Sequence, residues 1–164
     1  MDEVLARVKT MLADAQIQIV DQDLQRPWGG FLVLDEAEIE AFAMTFFPAL
    51  DLPDIEDRLP MSPKILLVAP HQRLSWQYHH RRGELWHVVE GPVGVIHGMG
   101  DEQGTVQTLE DEREISLAAG ERHRLVGLDS WGVVAEIWQH TDAANPSNEE
   151  DIVRLADDYD REGK

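Results

Sequence analysis

The sequence predicts a mainly β fold, a closed barrel or jelly roll with helices on its outside, and three observations lead there. From Lys64 to Gln139, short apolar or alternating runs are separated by turn residues, the pattern of strands that must close on one another to bury a face. The flanking stretches instead carry apolar residues at helical spacing. At 164 residues the chain can bury one core and is too short for two domains of ordinary size. A single domain over 1–164 is therefore expected.

In chain order, residues 1–20 are assigned to an N-terminal helix, because Val4, Val8, Met11 and Leu12 fall on one face of EVLARVKTMLADA. That apolar stripe should pack against the barrel's exterior. Residues 36–62 read as a helical insertion. Asp35 with Glu38 three residues on is a capping-box pattern, Ile39, Phe42, Phe46 and Phe47 share a face, and Pro48 should stop the helix. The prolines at 53, 60 and 63 make the remainder irregular. Residues 64–140 form the barrel core, with strands in KILLVA, LSWQYH, ELWHVVEG, GVIHG, TVQTLE, REISLA, HRLVGL and VVAEIWQH. Ser147 with Glu150, ahead of Ile152, Val153, Leu155 and Ala156, predicts a C-terminal helix over 147–160.

Composition excludes several function classes. A formal charge of -18 repels nucleic-acid phosphates and anionic lipid, so neither is expected as a partner. Between His71 and Gly91, however, three arginines face two glutamates, which leaves +1 locally and -19 elsewhere. A locally basic segment in an acidic body suits a small anionic ligand. Without cysteine, a metal can be held only by nitrogen and oxygen donors. The first twenty residues mix acids with apolar positions and lack a secretory pattern, and no apolar run reaches membrane-helix length, so a cytoplasmic location is expected.

The donors for such a metal stand out by spacing. On a strand, residues two apart face one side, so Gln77 and His79 point together. After the turn at Arg82 and Gly83, Glu84 opens the next strand opposite them, and His123 arrives from a distant one. This follows the first cupin motif, G-x5-HxH-x4-E-x6-G, with His71 in the initial glycine position, Gln77 in the first histidine position, then His79, Glu84 and Gly91. The second motif, PxGxxH-x3-N, appears as Ala118, Gly120, His123 and Gly127, with alanine for proline and glycine for asparagine. Both departures affect turns and spare the ligands. The expectation is a cupin jelly-roll barrel holding one divalent metal ion on Gln77, His79, Glu84 and His123, zinc first, with manganese, iron or cobalt as alternatives. By alternation His80 and His87 should point away from that face. Trp76, Trp86 and Trp138 are expected in the core or wall.

Beyond the cupin motifs, RPWGGF (26–31), LSWQYHHRRGELWHVVEG (74–91), GERHRL (120–125), AEIWQ (135–139) and EEDIVRLADDYDR (149–161) occur in the order seen in type II mannose-6-phosphate isomerases. The chain resembles the isomerase cupin that in that family usually forms the C-terminal half of a bifunctional mannose-1-phosphate guanylyltransferase, here without a Gly-rich nucleotide loop. The resemblance implies metal-dependent interconversion of a phosphorylated aldose and its ketose, with mannose 6-phosphate and fructose 6-phosphate the first pair, or a related hexose or heptose phosphate. It further implies cations for the phosphate, assigned to Lys64, Arg81, Arg124 and Arg154, with Lys64 and Arg154 also assigned, beside Glu136, as catalytic residues. Glu136 is the candidate for proton transfer, and Arg26 is expected to anchor the RPWG segment. A non-catalytic sugar-binding cupin, or a metal-dependent dioxygenase or epimerase, fits the same barrel. Exposed sheet edges make a homodimer the expected assembly.

Overall fold

A computed structural model describes residues 1–54 and 58–159. Helix α1 (Asp2–Asp14) opens the chain and buries Val4, Val8 and Leu12, so the expected helix forms but stops short of residue 20. Next comes a hairpin that the apolar periodicity does not predict, β1 (Ile19–Arg26) and β2 (Gly29–Leu34). Its turn holds Gly29 at φ 138°, where a Cβ would lie 1.9 Å from the Leu67 carbonyl oxygen, so only glycine fits the join to the next strand. Asp35 caps the following 3₁₀ turn by accepting from the Ala37 N–H. Glu38 does not close a capping box, because its carboxylate reaches the Gln18 N–H instead. Helix α2 (Ile39–Phe46) then ends two residues before Pro48, with Phe47 as its C-cap, so the proline stop holds as expected. Of the 36–62 insertion, residues 55–57 lie outside the described residues.

All eight strands foreseen between 64 and 140 form: β3 (Met61–Val68), β4 (Trp76–Tyr78), β5 (Arg82–Glu90), β6 (Val93–Gly98), β7 (Gln107–Leu109), β8 (Glu114–Leu117), β9 (Arg122–Gly127) and β10 (Gly132–His140). The expected C-terminal helix does not. Residues Val153–Ala156 are a strand, β11, paired antiparallel with β4. Apolar residues at 152, 155 and 156 suit a helix, but pairing with the otherwise open edge of β4 satisfies backbone groups that a lone helical turn would leave to water. Ser147 caps nothing; its hydroxyl donates to Asp151.

Two antiparallel sheets result, ordered β1-β2-β3-β10-β5-β8 and β11-β4-β9-β6-β7, and they close into the jelly-roll barrel of a cupin. The six-stranded sheet is apolar on both faces. Outward residues Leu32, Ile65, Leu67, Val133, Ala135 and Ile137 pack under α1 and α2 with Phe42 and Phe46, forming one core. Inward residues Leu66, Val68, Trp86, Val88 and Val134 meet Val93, Val95 and Leu125 of the other sheet in a second. Strand β10, near the middle of the sheet, therefore reads as an almost continuous apolar run, interrupted by Glu136 on its inward face.

Candidate metal centre and substrate cavity

The ligand positions converge because three strands bring them into one row. Gln77 on β4 sits directly opposite His123 on β9, and Glu84 on β5 faces the same interior. The Gly120 N–H donates to the His79 carbonyl at 2.8 Å and so ties the two motif segments together. At the second motif's asparagine position, a Cβ on Gly127 would meet the Ala69 carbonyl oxygen at 2.0 Å, so the close approach of that loop explains the glycine found there. Ligand atoms of His79, Glu84 and His123 all lie within 4.8 Å of one another, and the three side chains are buried. His79 Nε2 is 3.1 Å from one Glu84 oxygen, and His123 Nε2 is 3.3 Å from the other.

The surrounding hydrogen bonds fix which atoms face the centre. Nδ1 of His79 donates to the Asp151 carbonyl at 2.5 Å, and Nδ1 of His123 to the Glu121 carbonyl at 3.0 Å, leaving both Nε2 lone pairs aimed inward. His123 Nε2 and Glu84 Oε2 are buried and have no hydrogen-bond partner among the described residues. Two acceptors 3.3 Å apart with no proton donor between them repel, and a cation resolves the conflict. The two His–Glu84 separations, 3.1 and 3.3 Å, suit pairs of ligands each about 2.0–2.2 Å from one ion, the range for imidazole and carboxylate on zinc. The site can hold a metal ion. Burial lowers the His79 imidazole, which keeps it neutral, the form that binds metal.

Gln77 stands at the edge of this cluster. Its amide nitrogen is 3.4 Å from His79 Nε2, while its oxygen accepts from Ser75 Oγ at 2.5 Å. A half-turn of the amide is needed to present oxygen to an ion.

Gln77 and Glu84 open onto a cavity of about 600 Å³, large enough for a sugar phosphate. Lys64, Glu136 and Arg154 line it, as do Trp86 and Trp138. Glu136 is buried, with one oxygen accepting the Trp86 indole N–H at 3.0 Å and the other that of Trp138 at 2.8 Å. Burial first, and the charge of Glu84 second, push its carboxyl up to about 8. Lys64 lies directly opposite Glu136 across the β3–β10 ladder. Its Nζ sits 3.5 Å above the Trp138 ring and 2.5 Å from a Glu149 oxygen.

Two of the expected phosphate cations are elsewhere. Arg124 alternates with the inward residues His123 and Leu125, so it points out of the barrel, where it bonds the Leu74 and Ala156 carbonyls and Gln103. Arg81 precedes β5 and is held by Asn145, the Pro146 carbonyl and Asp151. Neither lines the cavity. Two other arginines do, Arg26 and Arg82. Arg26 pairs with Asp23 at 2.8 Å. Arg82 belongs to β5 rather than to the preceding turn, so it shares parity with Glu84, and that parity was the signal available in the sequence. It is buried, donates to Glu84 at 2.9 Å, lies 3.1 Å from His79 Nε2 and stacks 3.5 Å from the Trp138 ring. His80 is exposed, and His87 faces outward, buried against Phe47. Trp76 is also buried and donates to the Asp101 carbonyl.

Among solved structures, the chain is similar to hazelnut (Corylus avellana) vicilin, at TM-score 0.57 and 14% identity over 85% of this chain and 36% of that one. It is similar to CapF in complex with 3-isopropenyl-tropolone, at 0.53 and 16% over 85% and 34%. A third is tomato (Solanum lycopersicum) vicilin, at 0.53 and 17% over 80% and 32%. The chain thus spans about a third of each of these proteins, and the likeness is one of fold. No curated protein matches its sequence. Among the described residues no helix is long and apolar enough to cross a membrane. The family described as "Mannose-6-phosphate isomerase C-terminal" matches residues 38–157, which include every metal-ligand candidate and the cavity residues Lys64, Glu136 and Arg154, and the chain belongs to that family.

Proposed function

We propose that this protein is a metal-dependent aldose–ketose isomerase acting on a phosphorylated sugar, with mannose 6-phosphate and fructose 6-phosphate the first pair and related hexose or heptose phosphates next. The observation that carries the reading is the meeting, in one cavity, of a metal-type donor cluster with four cations, Arg26, Lys64, Arg82 and Arg154. The ion, held by His79, Glu84, His123 and a turned Gln77, is proposed to be zinc; when bound it acts as a Lewis acid toward the sugar's carbonyl and adjacent hydroxyl oxygens.

The chain's own residues account for the rest. Lys64 and Arg154 hold the phosphate and so orient the sugar. Trp86 and Trp138 orient the Glu136 carboxyl toward the cavity. Glu136 carries the proton between C1 and C2, and its raised acidity range suits transfer close to neutral pH. Trp28, Phe31, Leu66 and Leu74 exclude water from the walls.

The test is interconversion of the sugar phosphates by metal-loaded protein, followed by Glu136→Gln. Removal of a general acid–base group should lower kcat by roughly 10²–10⁴-fold. No turnover with any hexose or heptose phosphate refutes the enzyme reading. We also propose a homodimer in the cytoplasm, joined at the β1 edge of the six-stranded sheet, where Val20 is 57% exposed. A single 18.6 kDa species in light scattering contradicts it.

A further inference from the structure

We propose that the Glu149 carboxylate sits on the phosphate site of the resting protein, and that a phosphorylated substrate binds by displacing it from Lys64. The identity of the anion rests on the sugar-phosphate reading; the displacement itself does not.

The ion pair is asymmetric. The Lys64 side chain is 7% exposed and that of Glu149 is 64% exposed. A buried ammonium needs a counter-charge, because stripping it of water is costly. Its cross-strand neighbour Glu136 makes no ion pair with it among the described residues, and the Glu136 oxygens instead accept from two indole N–H groups. Two aromatic faces also lie near Nζ, Trp138 at 3.5 Å and Phe31 at 5.0 Å. Among the described residues the contacting anion is Glu149, which comes from the exposed side of the cavity. On leaving Lys64 it returns to water and loses little, whereas Lys64 stays buried and ready for another anion.

The backbone permits the exchange. On either side of Glu149 the chain is pinned to the barrel: Arg82 holds Ser147 Oγ at 2.7 Å and the Asn148 carbonyl at 3.1 Å. The Asp151 carboxylate takes the N–H groups of His80 and Arg81 at 3.1 and 2.9 Å. Glu149 and Glu150 lie between these pins and both line the cavity, so a side-chain rotation frees Lys64 without unfolding the segment. Phosphate brings more charge than a carboxylate and a third oxygen for the arginines that share the lining. A neutral sugar offers Lys64 hydroxyl oxygens but no counter-charge in exchange. Glu149 thereby becomes a specificity device, favouring phosphorylated over free sugars by making any occupant of this position compete with a resident anion.

The experiment titrates inorganic phosphate calorimetrically into metal-loaded wild type, Glu149→Gln, Glu150→Gln, Lys64→Met and the Glu149→Gln/Lys64→Met double variant. Far-UV circular dichroism confirms that each is folded. Glu149→Gln should tighten phosphate about tenfold, equivalent to about 1.4 kcal/mol. Glu150→Gln removes the same formal charge from the same lining without touching the ion pair, and should change affinity less than threefold. Lys64→Met should weaken binding and erase the gain in the double variant. Glu149→Asp keeps the charge but withdraws it by one methylene, and should also tighten phosphate. Unchanged or weaker binding in Glu149→Gln overturns the proposal, as does an equal gain from Glu150→Gln, which would mean a general field effect. A phosphate gain without turnover of any sugar phosphate would preserve the displacement and reject the isomerase.

Discussion

Replacing Glu136 by glutamine should change how stability depends on pH, and the size can be worked from the structure. The folded carboxyl is pushed from 4.5 up to about 8, chiefly by burial and next by the charge of Glu84. Between those values the unfolded chain has released the proton while the folded chain keeps it, so stability falls as pH rises, by about 1.4 kcal/mol per pH unit. The contribution is fully present below about pH 4.5 and lost through about pH 8, a total of about 5 kcal/mol. Glutamine cannot titrate. Its NH₂ must face the N–H of Trp86 or Trp138, an offset of about 1–3 kcal/mol that does not vary with pH. Urea denaturation of both proteins from pH 5 to 9 isolates the effect, because their difference cancels every other titrating group. Wild type should lose ground to Glu136→Gln steadily from pH 5 to about 8 and level off above it. Zinc should narrow the window, since a cation on Glu84 offsets the second cause of the shift. A difference between the two proteins that stays flat with pH refutes the assignment of a neutral buried carboxyl to Glu136.

Three further outcomes are expected. Zinc at a hundredfold excess over its dissociation constant should stabilise wild type by about 2.7 kcal/mol in thermal denaturation, and His123→Ala, which removes an orphaned buried nitrogen of the centre, should lose most of that gain; an undiminished zinc shift in the variant places the metal elsewhere. Phe42→Ala, at a fully buried position under the six-stranded sheet, should cost about 3–5 kcal/mol in urea denaturation while leaving zinc affinity unchanged. Asp151→Asn should destabilise by about 1–3 kcal/mol and raise amide exchange across residues 147–156, because the carboxylate that gathers Ser147 Oγ and two backbone N–H groups is lost.

The barrel was legible where one physical signal dominated. Alternation marked the eight core strands and put Gln77 with His79, and the motif spacing brought in Glu84 and His123. Strand β1 escaped because IVDQDLQR is largely exposed and has no apolar rhythm, so only its pairing with β2 makes it a strand. Strand β11 was misread because Ile152, Leu155 and Ala156 suit a helix, and the deciding factor, the open edge of β4, lies about 75 residues away in the chain. Arginines misled for a related reason. Charge and family position could not distinguish Arg81 from Arg82, yet one residue of offset sends the first to Asn145 and the second to the ligand face. Arg124 looked available for phosphate, while its place on the outward side of β9 commits it to carbonyl oxygens.

The Asp151 carbonyl that orients His79 belongs to the same short segment that supplies Glu149, Glu150, Ile152 and Arg154 to the cavity wall. Cation affinity and the ordering of that wall are thereby linked functions of one equilibrium. Whatever factor the ion contributes to holding the segment in place, the placed segment returns to the ion's affinity, as thermodynamic reciprocity requires. Chelation should therefore slacken the sugar-facing wall, and an occupant of the cavity that steadies the wall should slow the escape of the ion.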